Sequence, residues 1–258
     1  MNRILAGAGR FLAWLATHAW AYWAVLADAL RGVPRLALPP FRTVLLRQIY
    51  FTGIEALPLL APLALIAGFA SLSPLHAALL QDMNTTIMVF RILVLQEAVP
   101  LLVGFFILAR SGSAIASELA SNRQNGEVAS LYRMGLDAGE YLIAPRVAAA
   151  ALSMAVLVVY FQVFTVFGGF ALMSLSSGWD FSLALGKFAG GINPTVAIVI
   201  IIKAMIFGTL IGVISCQQGL ASRRGPLGIP IATRAAAVHG ITAIAIAEAL
   251  FVLLLLPR

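Results

Sequence analysis

Five long apolar stretches alternate with shorter polar connections along this sequence. Each stretch exceeds the roughly 18 residues that a helix needs to cross the hydrocarbon core of a membrane. We therefore predict an all-α integral membrane protein with five transmembrane helices. The predicted spans are Phe51–Leu72, Ile87–Ala109, Val147–Leu175, Ile192–Cys216 and Ala236–Leu256.

A further apolar segment, from about Leu5 to Leu30, precedes the first span and differs from the others in composition. It contains three tryptophans and is interrupted by His18 and Asp28. Tryptophan concentrates at the membrane–water interface, so we predict an interfacial helix, with a further span as the alternative. A run of prolines then breaks the helix. The chain is divided accordingly into residues 1–46, the interfacial helix and linker, and residues 47–258, the membrane domain.

One long polar connection, Arg110–Pro145, separates the second and third predicted spans. Its apolar residues recur at helical spacing, which predicts two short amphipathic helices outside the membrane. We expect Asn125 to be the N-cap of the second helix and Gly135 to be the C′ glycine that ends it. The connection is either an ordinary solvated loop or the surface by which a permease meets a soluble partner. The apolar positions are Ile115, Leu119, Val128, Leu131 and Tyr132.

Composition agrees with a membrane protein, since 61% of the 258 residues are hydrophobic and only 10% are charged. The net charge is +7, but the arginines are spread between apolar runs without interleaved aromatic residues, so no nucleic-acid partner is predicted. They concentrate in the N-terminal segment and in the second and fourth connections. This bias predicts a cytoplasmic N-terminus and a periplasmic C-terminus. The single cysteine, Cys216, is predicted to be a buried small residue.

Three ionisable residues lie well inside the predicted spans, namely Glu97, Lys203 and Glu248. At 1.5 Å per residue, each is roughly 20 Å from the arginine-rich end of its span, so all three share one depth. A charge at mid-membrane costs about 2.5 to 3.5 kcal/mol on insertion scales, which favours pairing inside the bundle. We predict that Lys203 bridges Glu97 and Glu248. Such a cluster either lines a transport pathway or only fixes helix packing, while Glu55 lies nearer the edge and can reach water.

Motifs of the common hydrolases, zinc proteases and redox proteins do not occur in the sequence, and no catalytic residue is assigned. His76 and His239 have no carboxylate or cysteine at metal spacing, so no metal is assigned. The nearest approach to a nucleotide-binding loop, Gly186-Lys187-Phe188, has phenylalanine where serine or threonine is required. Transport driven by ATP would therefore need a separate ATPase chain.

The residues from Gln96 to Gly169 resemble the MlaE (YrbE) family of ABC-transporter permeases, which belong to lipid transporters that work with MCE proteins. The resemblance extends over about Arg47 to Leu256, and residues 47–258 are identified on this basis as an MlaE-like permease domain. The pieces that carry it are Arg47-Gln48, Ala109–Ala114, Glu118, Met134–Asp137, Tyr141-Leu142, Pro145-Arg146, Lys203–Gly208 and Ala232–Ala235.

This resemblance implies a permease subunit that moves phospholipid or a related lipid between the bacterial inner membrane and an MCE protein, in outer-membrane lipid asymmetry or trafficking. The permease would be a homodimer with phospholipid in a cavity between its two copies. Two ABC ATPase subunits, which carry ATP and Mg, would dock on the cytoplasmic side. An MCE-domain protein would sit on the periplasmic side, and a small STAS-type regulatory subunit is a further implied partner. No cofactor is expected on this chain itself.

The resemblance also assigns residues. The connection between spans two and three would be the cytoplasmic coupling helix that the ATPase grips. Glu97 matches the acid of the family's R-E-L-G-P pattern, and Lys203 matches its lysine in span four. The sequence departs from the family pattern at Gln96, at Ala98-Val99 and at Asn125-Gly126-Glu127. The predicted coupling residues are Arg110, Glu118, Arg123, Glu127, Arg133, Met134, Gly135 and Asp137.

Three other functions stay open at this point. An intramembrane lipid-modifying enzyme could use Glu97, Lys203 and Glu248 as acid–base groups and would turn over without ATP. A proton-coupled transporter could protonate the buried carboxylates, although the sequence shows no inverted repeat. A membrane scaffold would bind partners and move nothing.

Overall fold

The computed structural model describes residues 20–79, 82–135, 137, 139–223 and 225–255. In this part of the chain the regular secondary structure is helical and contains no strand. Five helices are long and apolar enough to cross a membrane, which confirms the predicted fold class. Part of the predicted interfacial segment and the end of the fifth predicted span at Leu256 lie outside the described residues.

The helices are numbered in chain order. They are α1 (residues 20–32), α2 (Pro39–Thr52), α3 (Leu57–Ala78), α4 (Met83–Gln124), α5 (Glu127–Arg133), α6 (Gly139–Ser177), α7 (Phe181–Gly190), α8 (Pro194–Leu220) and α9 (Gly228–Leu255). Two short 3₁₀ segments, Val33–Ala37 and Ile54–Ala56, join α1 to α2 and α2 to α3. The five spans are α3 with most of α2, then α4, α6, α8 and α9.

Several predicted helix boundaries differ from the structure, and two of these differences have clear physical reasons. The first span was placed over Phe51–Leu72, whereas the chain leaves the helix near Gly53 and α3 begins at Leu57 with Pro58 in its first turn. Backbone N–H groups in the first turn of a helix have no partner within the helix, so proline, which lacks this group, is favoured at a helix start. The helix of the second span does not end at Ala109, because α4 continues through the polar residues to Gln124. A change to polar composition ends the membrane-crossing part of a helix without ending the helix.

Three π-helical segments interrupt the long helices. Two lie in α4, Phe90–Ala98 and Leu108–Gly112, and one opens α6, Gly139–Ile143. Such segments are rare and often occur at functional sites. Within the first, the Leu95 carbonyl accepts a hydrogen bond of 2.9 Å from Gln162 Nε2 of α6. This segment carries Glu97 and therefore positions one of the three buried charges.

The centre of the bundle is α6, which packs against α2, α3, α4 and α8. Its contact with α3 is close enough that a Cβ on Gly68 would overlap the carbonyl oxygen of Thr165. Small residues permit this approach between helices in a membrane, where association depends on close packing and not on exclusion of water. Phe90, Phe161, Phe170 and Phe207 are fully buried in the resulting core.

The bundle has two ends, which we name by their residues. The Arg110 side carries the connection α4–α5–α6, and the Asp82 side carries the starts of α4, α7 and α8. Asp82 and Asp180 cap α4 and α7, accepting hydrogen bonds from backbone amides of the first turn. Hydrogen bonds from the hydroxyl groups of Thr85 and Ser182, and then from backbone amides, lower the pKa of both aspartates. Both caps therefore remain ionised at neutral pH.

Candidate functional site

Three spans converge on the amine of Lys203. Its Nζ in α8 lies 2.5 Å from Glu97 Oε2 of α4 and 2.8 Å from Glu248 Oε2 of α9. It also donates to the carbonyl oxygen of Gln96 at 3.2 Å. The three donors of the ammonium group thus have three acceptors. The ion pairs that the common depth of these residues predicts are present, and their role in transport stays a prediction.

This charge cluster is largely shielded from water. The side chain of Lys203 is 2% exposed, that of Glu248 is 10% exposed and that of Glu97 is 28% exposed. Nζ lies 5.8 Å from the centre of the Phe251 ring, close enough for a cation–π interaction. Desolvation of buried ions is expensive, and only good geometry with further hydrogen bonds offsets it. Two carboxylates against one ammonium also leave one excess negative charge whenever all three groups are ionised.

The carboxylate of Glu97 borders a cavity of about 1050 Å³ that extends from there to the Asp82 side. Its walls come from α4, α6, α7 and α8, with Val252 of α9, and are mostly apolar. Four other polar side chains line it: Arg91, Gln96, Gln162 and Asn193. A mostly apolar cavity with a few polar groups is the usual form of a ligand site.

The residues predicted to couple to an ATPase fall into two groups, and the first makes contacts within the chain itself. Arg110 Nη2 lies 2.8 Å from Glu55 Oε2, and its Nη1 donates to the Phe51 carbonyl oxygen at 2.6 Å. Glu118 accepts a hydrogen bond of 2.7 Å from Arg146 Nη2. These pairs attach α4 to the segment before α3 and to the start of α6.

Asp137 also belongs to the first group. Its Oδ1 accepts a hydrogen bond of 2.8 Å from the Gly139 amide, where α6 begins. The carboxylate therefore holds the chain at the end of the connection.

The second group faces outward. Arg123, Glu127, Arg133 and Met134 are exposed, and α5 contains no buried side chain. Within α5, Val128 and Leu131 pack partly against the core, whereas Tyr132 is 61% exposed. Tyr132, the third apolar position of this helix, therefore does not pack with Val128 and Leu131.

The ends of α5 differ from the prediction at one point. Asn125 is not the N-cap, since it ends the preceding helix in a right-handed conformation. The N-cap is Gly126, with φ of +78° in the left-handed region that glycine adopts without strain. The C′ glycine is confirmed, because Gly135 has φ of +75° and its amide donates to the Tyr132 carbonyl oxygen at 3.1 Å.

Two features of the site were not predicted as such. Arg146, for which the sequence predicted no contact, is buried to 4% exposure and bonded to Glu118. In α1, the Tyr22 hydroxyl lies 2.5 Å from His239 Nδ1 and accepts a hydrogen bond of 2.7 Å from Gln218 Nε2, which attaches α1 to α8 and α9. These partners are 28 to 217 positions apart in the chain, so no local pattern indicates them.

Comparison with known proteins adds an independent finding. Residues 45–254 match the family described as Permease MlaE. A probable ABC transporter permease protein of Rickettsia prowazekii is 30% identical over 203 residues, which are 78% of each chain. A protein of the same description from Rickettsia felis is 29% identical over 81% of this chain and 82% of its own.

A plant protein is similar over a shorter region. The chloroplastic protein TRIGALACTOSYLDIACYLGLYCEROL 1 of Arabidopsis thaliana is 31% identical over 59% of this chain and 44% of its own. The family match, by contrast, covers the connection, the charge cluster and nearly all of the five spans. The protein is a member of the MlaE permease family.

Proposed function

We propose that this chain is the permease subunit of an ATP-binding-cassette transporter that moves phospholipid or a related lipid. The Rickettsia relatives are described as ABC transporter permeases, and this chain shares most of its length with them. The observation that carries the proposal is α5, an exposed helix between two spans with a glycine of positive φ at each end. Its outward residues Glu127, Ser130 and Arg133 are free to meet an ATPase.

The connection and the charge cluster belong to one helix, which suggests how force would be transmitted. From Glu97 to Gln124, α4 stays helical for roughly 40 Å, with the π-helical segment Leu108–Gly112 within it. The pairs of Arg110 with Glu55 and of Arg146 with Glu118 attach it to neighbouring elements on the Arg110 side. A displacement of α5 by the ATPase would therefore move α4 and, with it, the carboxylate that holds Lys203.

Orientation and partners follow from this proposal. The Arg110 side faces the cytoplasm of a bacterium, where an ABC ATPase dimer with ATP and Mg docks. The N-terminus is cytoplasmic, the C-terminus is periplasmic, and the membrane is the inner membrane. An MCE-domain protein receives or delivers lipid on the Asp82 side, and a STAS-type subunit regulates the ATPase.

A second copy of the chain is the proposed partner of α9. This span is the least covered of the five within one protomer. Large apolar side chains along it are exposed: Val238, Ile241, Ile246, Leu250 and Leu253. An apolar face alone suits lipid as well as protein, and the homodimer is proposed because it would place two charge clusters around one lipid pathway.

A proton-coupled transporter is the second candidate, and one observation favours it. The excess negative charge of the cluster can be neutralised by a proton, so Glu97 and Glu248 could exchange protons during transport. This candidate needs no partner at α5. One experiment on α5 therefore separates the proton-coupled transporter from the ABC permease.

The experiment is Gly135→Val in the permease complex reconstituted into vesicles, with ATP hydrolysis and lipid movement measured together. No atom lies within 4 Å of the Cβ position at Gly135, so the valine meets open space, yet a β-branched residue resists the positive φ. We expect normal assembly in the membrane, with an ATPase that binds poorly or hydrolyses ATP without moving lipid.

The matched control is Gly178→Val. Gly178 has φ of +69° and equally open surroundings, but it lies on the Asp82 side. Both changes should cost a similar amount of stability, about 1 to 2 kcal/mol, and only Gly135→Val should uncouple. Transport at the wild-type rate per ATP in Gly135→Val would contradict the coupling role of α5. Lipid movement driven by a proton gradient without ATP would favour the second candidate.

A further inference from the structure

The cavity beside Glu97 has a cation at its opposite end. Arg91 lies at the level where α8 begins, with its guanidinium group across the backbone of Gly191, so that a Cβ on Gly191 would overlap Arg91 Nη1. Among the described residues, no carboxylate forms an ion pair with this guanidinium and no carbonyl accepts from it. A cation near a membrane without a protein partner favours an anionic ligand.

Two further donors lie at the same end of the cavity. The side chain of Asn193 uses its Oδ1 to cap α8, accepting from the Thr195 amide at 2.9 Å, which leaves its amide nitrogen as a donor. The N-terminus of α8, a helix of 27 residues, adds the positive end of its dipole. Arg91, Asn193 and this helix end together suit a phosphate group, which guanidinium binds through paired hydrogen bonds.

The remainder of the cavity suits hydrocarbon. Its volume of about 1050 Å³ is slightly above the roughly 300 to 1,000 Å³ of small-molecule sites. Along α8 it runs from Asn193 to Ile201, roughly 12 Å at 1.5 Å per residue. One leaflet contributes roughly 15 Å of hydrocarbon, so the cavity spans most of a leaflet. Its side walls include Val159, Val163, Val166, Phe167, Leu185 and Phe188.

We propose that this cavity binds one phospholipid from the leaflet on the Asp82 side, with its phosphate on Arg91 and its acyl chains directed toward Glu97. The site belongs to a single protomer and is separate from a cavity between two copies. This proposal rests on the proposed function in one respect, since the lipid in the cavity is of the class that the permease is proposed to transport.

The charges at the two ends set the orientation. The cluster around Lys203 carries two carboxylates, so a phosphate near Glu97 would meet excess negative charge. The phosphate therefore stays at Arg91, and the apolar walls receive the acyl chains. A free phosphate would leave those walls uncovered, which is why the ligand is a lipid and not a soluble anion.

The test uses the full-length chain in nanodiscs that contain phosphatidylglycerol with a photoreactive diazirine on one acyl chain. After irradiation without ATP, mass spectrometry maps the labelled peptides. We expect label on the peptides of α6 and α8 that contain Val163 and Val196, which line the cavity. Arg91→Gln should lower this label about tenfold, the effect of losing one charge-assisted hydrogen-bonded contact.

Matched variants separate the site from general effects on charge and folding. Lys187→Gln removes a cation from the same side at an exposed position outside the cavity and should leave the label unchanged. Gly191→Ala keeps the arginine but displaces its guanidinium and should lower the label. Ala197→Trp fills the cavity, whereas Ile198→Trp places the same side chain on an exposed face beyond it and serves as its control.

Undiminished label in both Arg91→Gln and Ala197→Trp would overturn the site, as would cysteine cross-links showing that a second copy fills the cavity. The outcome is independent of the proposed function, because the label is read without ATP. A chain that is labelled but moves no lipid with ATP refutes the permease function and leaves the site intact. A chain that moves lipid and shows no label in these peptides refutes the site.

Discussion

The charge cluster and α5 contain the same kinds of side chain in opposite settings. In the cluster, Lys203 is held by two carboxylates and almost no water reaches it. On α5, Glu127 and Arg133 are exposed and form no ion pair in the described part of the chain. Buried ions must be paired at every moment, whereas exposed ions are satisfied by water and can exchange it for a partner.

Two ion pairs on the Arg110 side lie between these extremes. Arg146 is buried, but its partner Glu118 has a side chain that is 51% exposed. Arg110 and Glu55 are both partly exposed. We expect from this comparison that a charge supports the fold more strongly the more it is buried, and that the exposed ones are available for a partner. Three substitutions test this order.

Lys203→Met should have the largest effect. It leaves Glu97 and Glu248 facing each other without a cation, and removing one partner of a buried ion pair costs about 3 to 5 kcal/mol. Thermal denaturation of the purified chain in detergent should show a large loss of stability. A double variant with Glu248→Gln should be more stable than the single variant. Losses that simply add in this cycle would mean that the two residues do not interact.

Glu118→Ala should have an intermediate effect. It leaves the buried Arg146 with the Leu142 carbonyl oxygen as its remaining acceptor, at 2.7 Å. An unsatisfied buried group costs about 1 to 3 kcal/mol, with the lower part of this range expected because Glu118 is half exposed. The comparison variant is Glu127→Ala, which removes an exposed carboxylate nearby. Thermal denaturation of both variants measures the difference in their stability. Equal stability of the two variants would show that the Arg146 pair is not needed for the fold.

The double variant that combines Glu127→Gln and Arg133→Gln should have the smallest effect on stability. Both side chains are exposed, and surface changes of this kind usually alter stability by less than about 0.5 kcal/mol. The melting temperature should match that of the unmodified chain within error, while binding of an ATPase partner, measured by co-purification, should fall. A clear loss of stability would show that these charges serve the fold and would weaken the distinction between the two regions.

Much of this architecture is predictable from local sequence. The apolar runs determine the five spans, since crossing the hydrocarbon core requires a minimum helix length whatever surrounds it. The depth of Glu97, Lys203 and Glu248 follows from residue counting, and a shared depth makes their pairing the favourable outcome. The sequence predicts that α5 ends at Gly135, because few residues other than glycine adopt a positive φ at that position.

Other features depend on which helices become neighbours. Hydropathy reports where the membrane ends, so it did not indicate that α4 continues to Gln124 or that α3 begins at Leu57. Arg146 could have faced lipid, water or several carboxylates, and only the packing of α4 against α6 selects Glu118.

The cavity has the same origin, since its walls come from five helices and its volume from how they diverge. Sequence determines the composition and length of each helix through interactions within a few turns. The rotation of each helix about its axis, which decides what every side chain meets, is set by all its neighbours at once, and so only the tertiary structure decided the partner of Arg146 and the shape of the cavity.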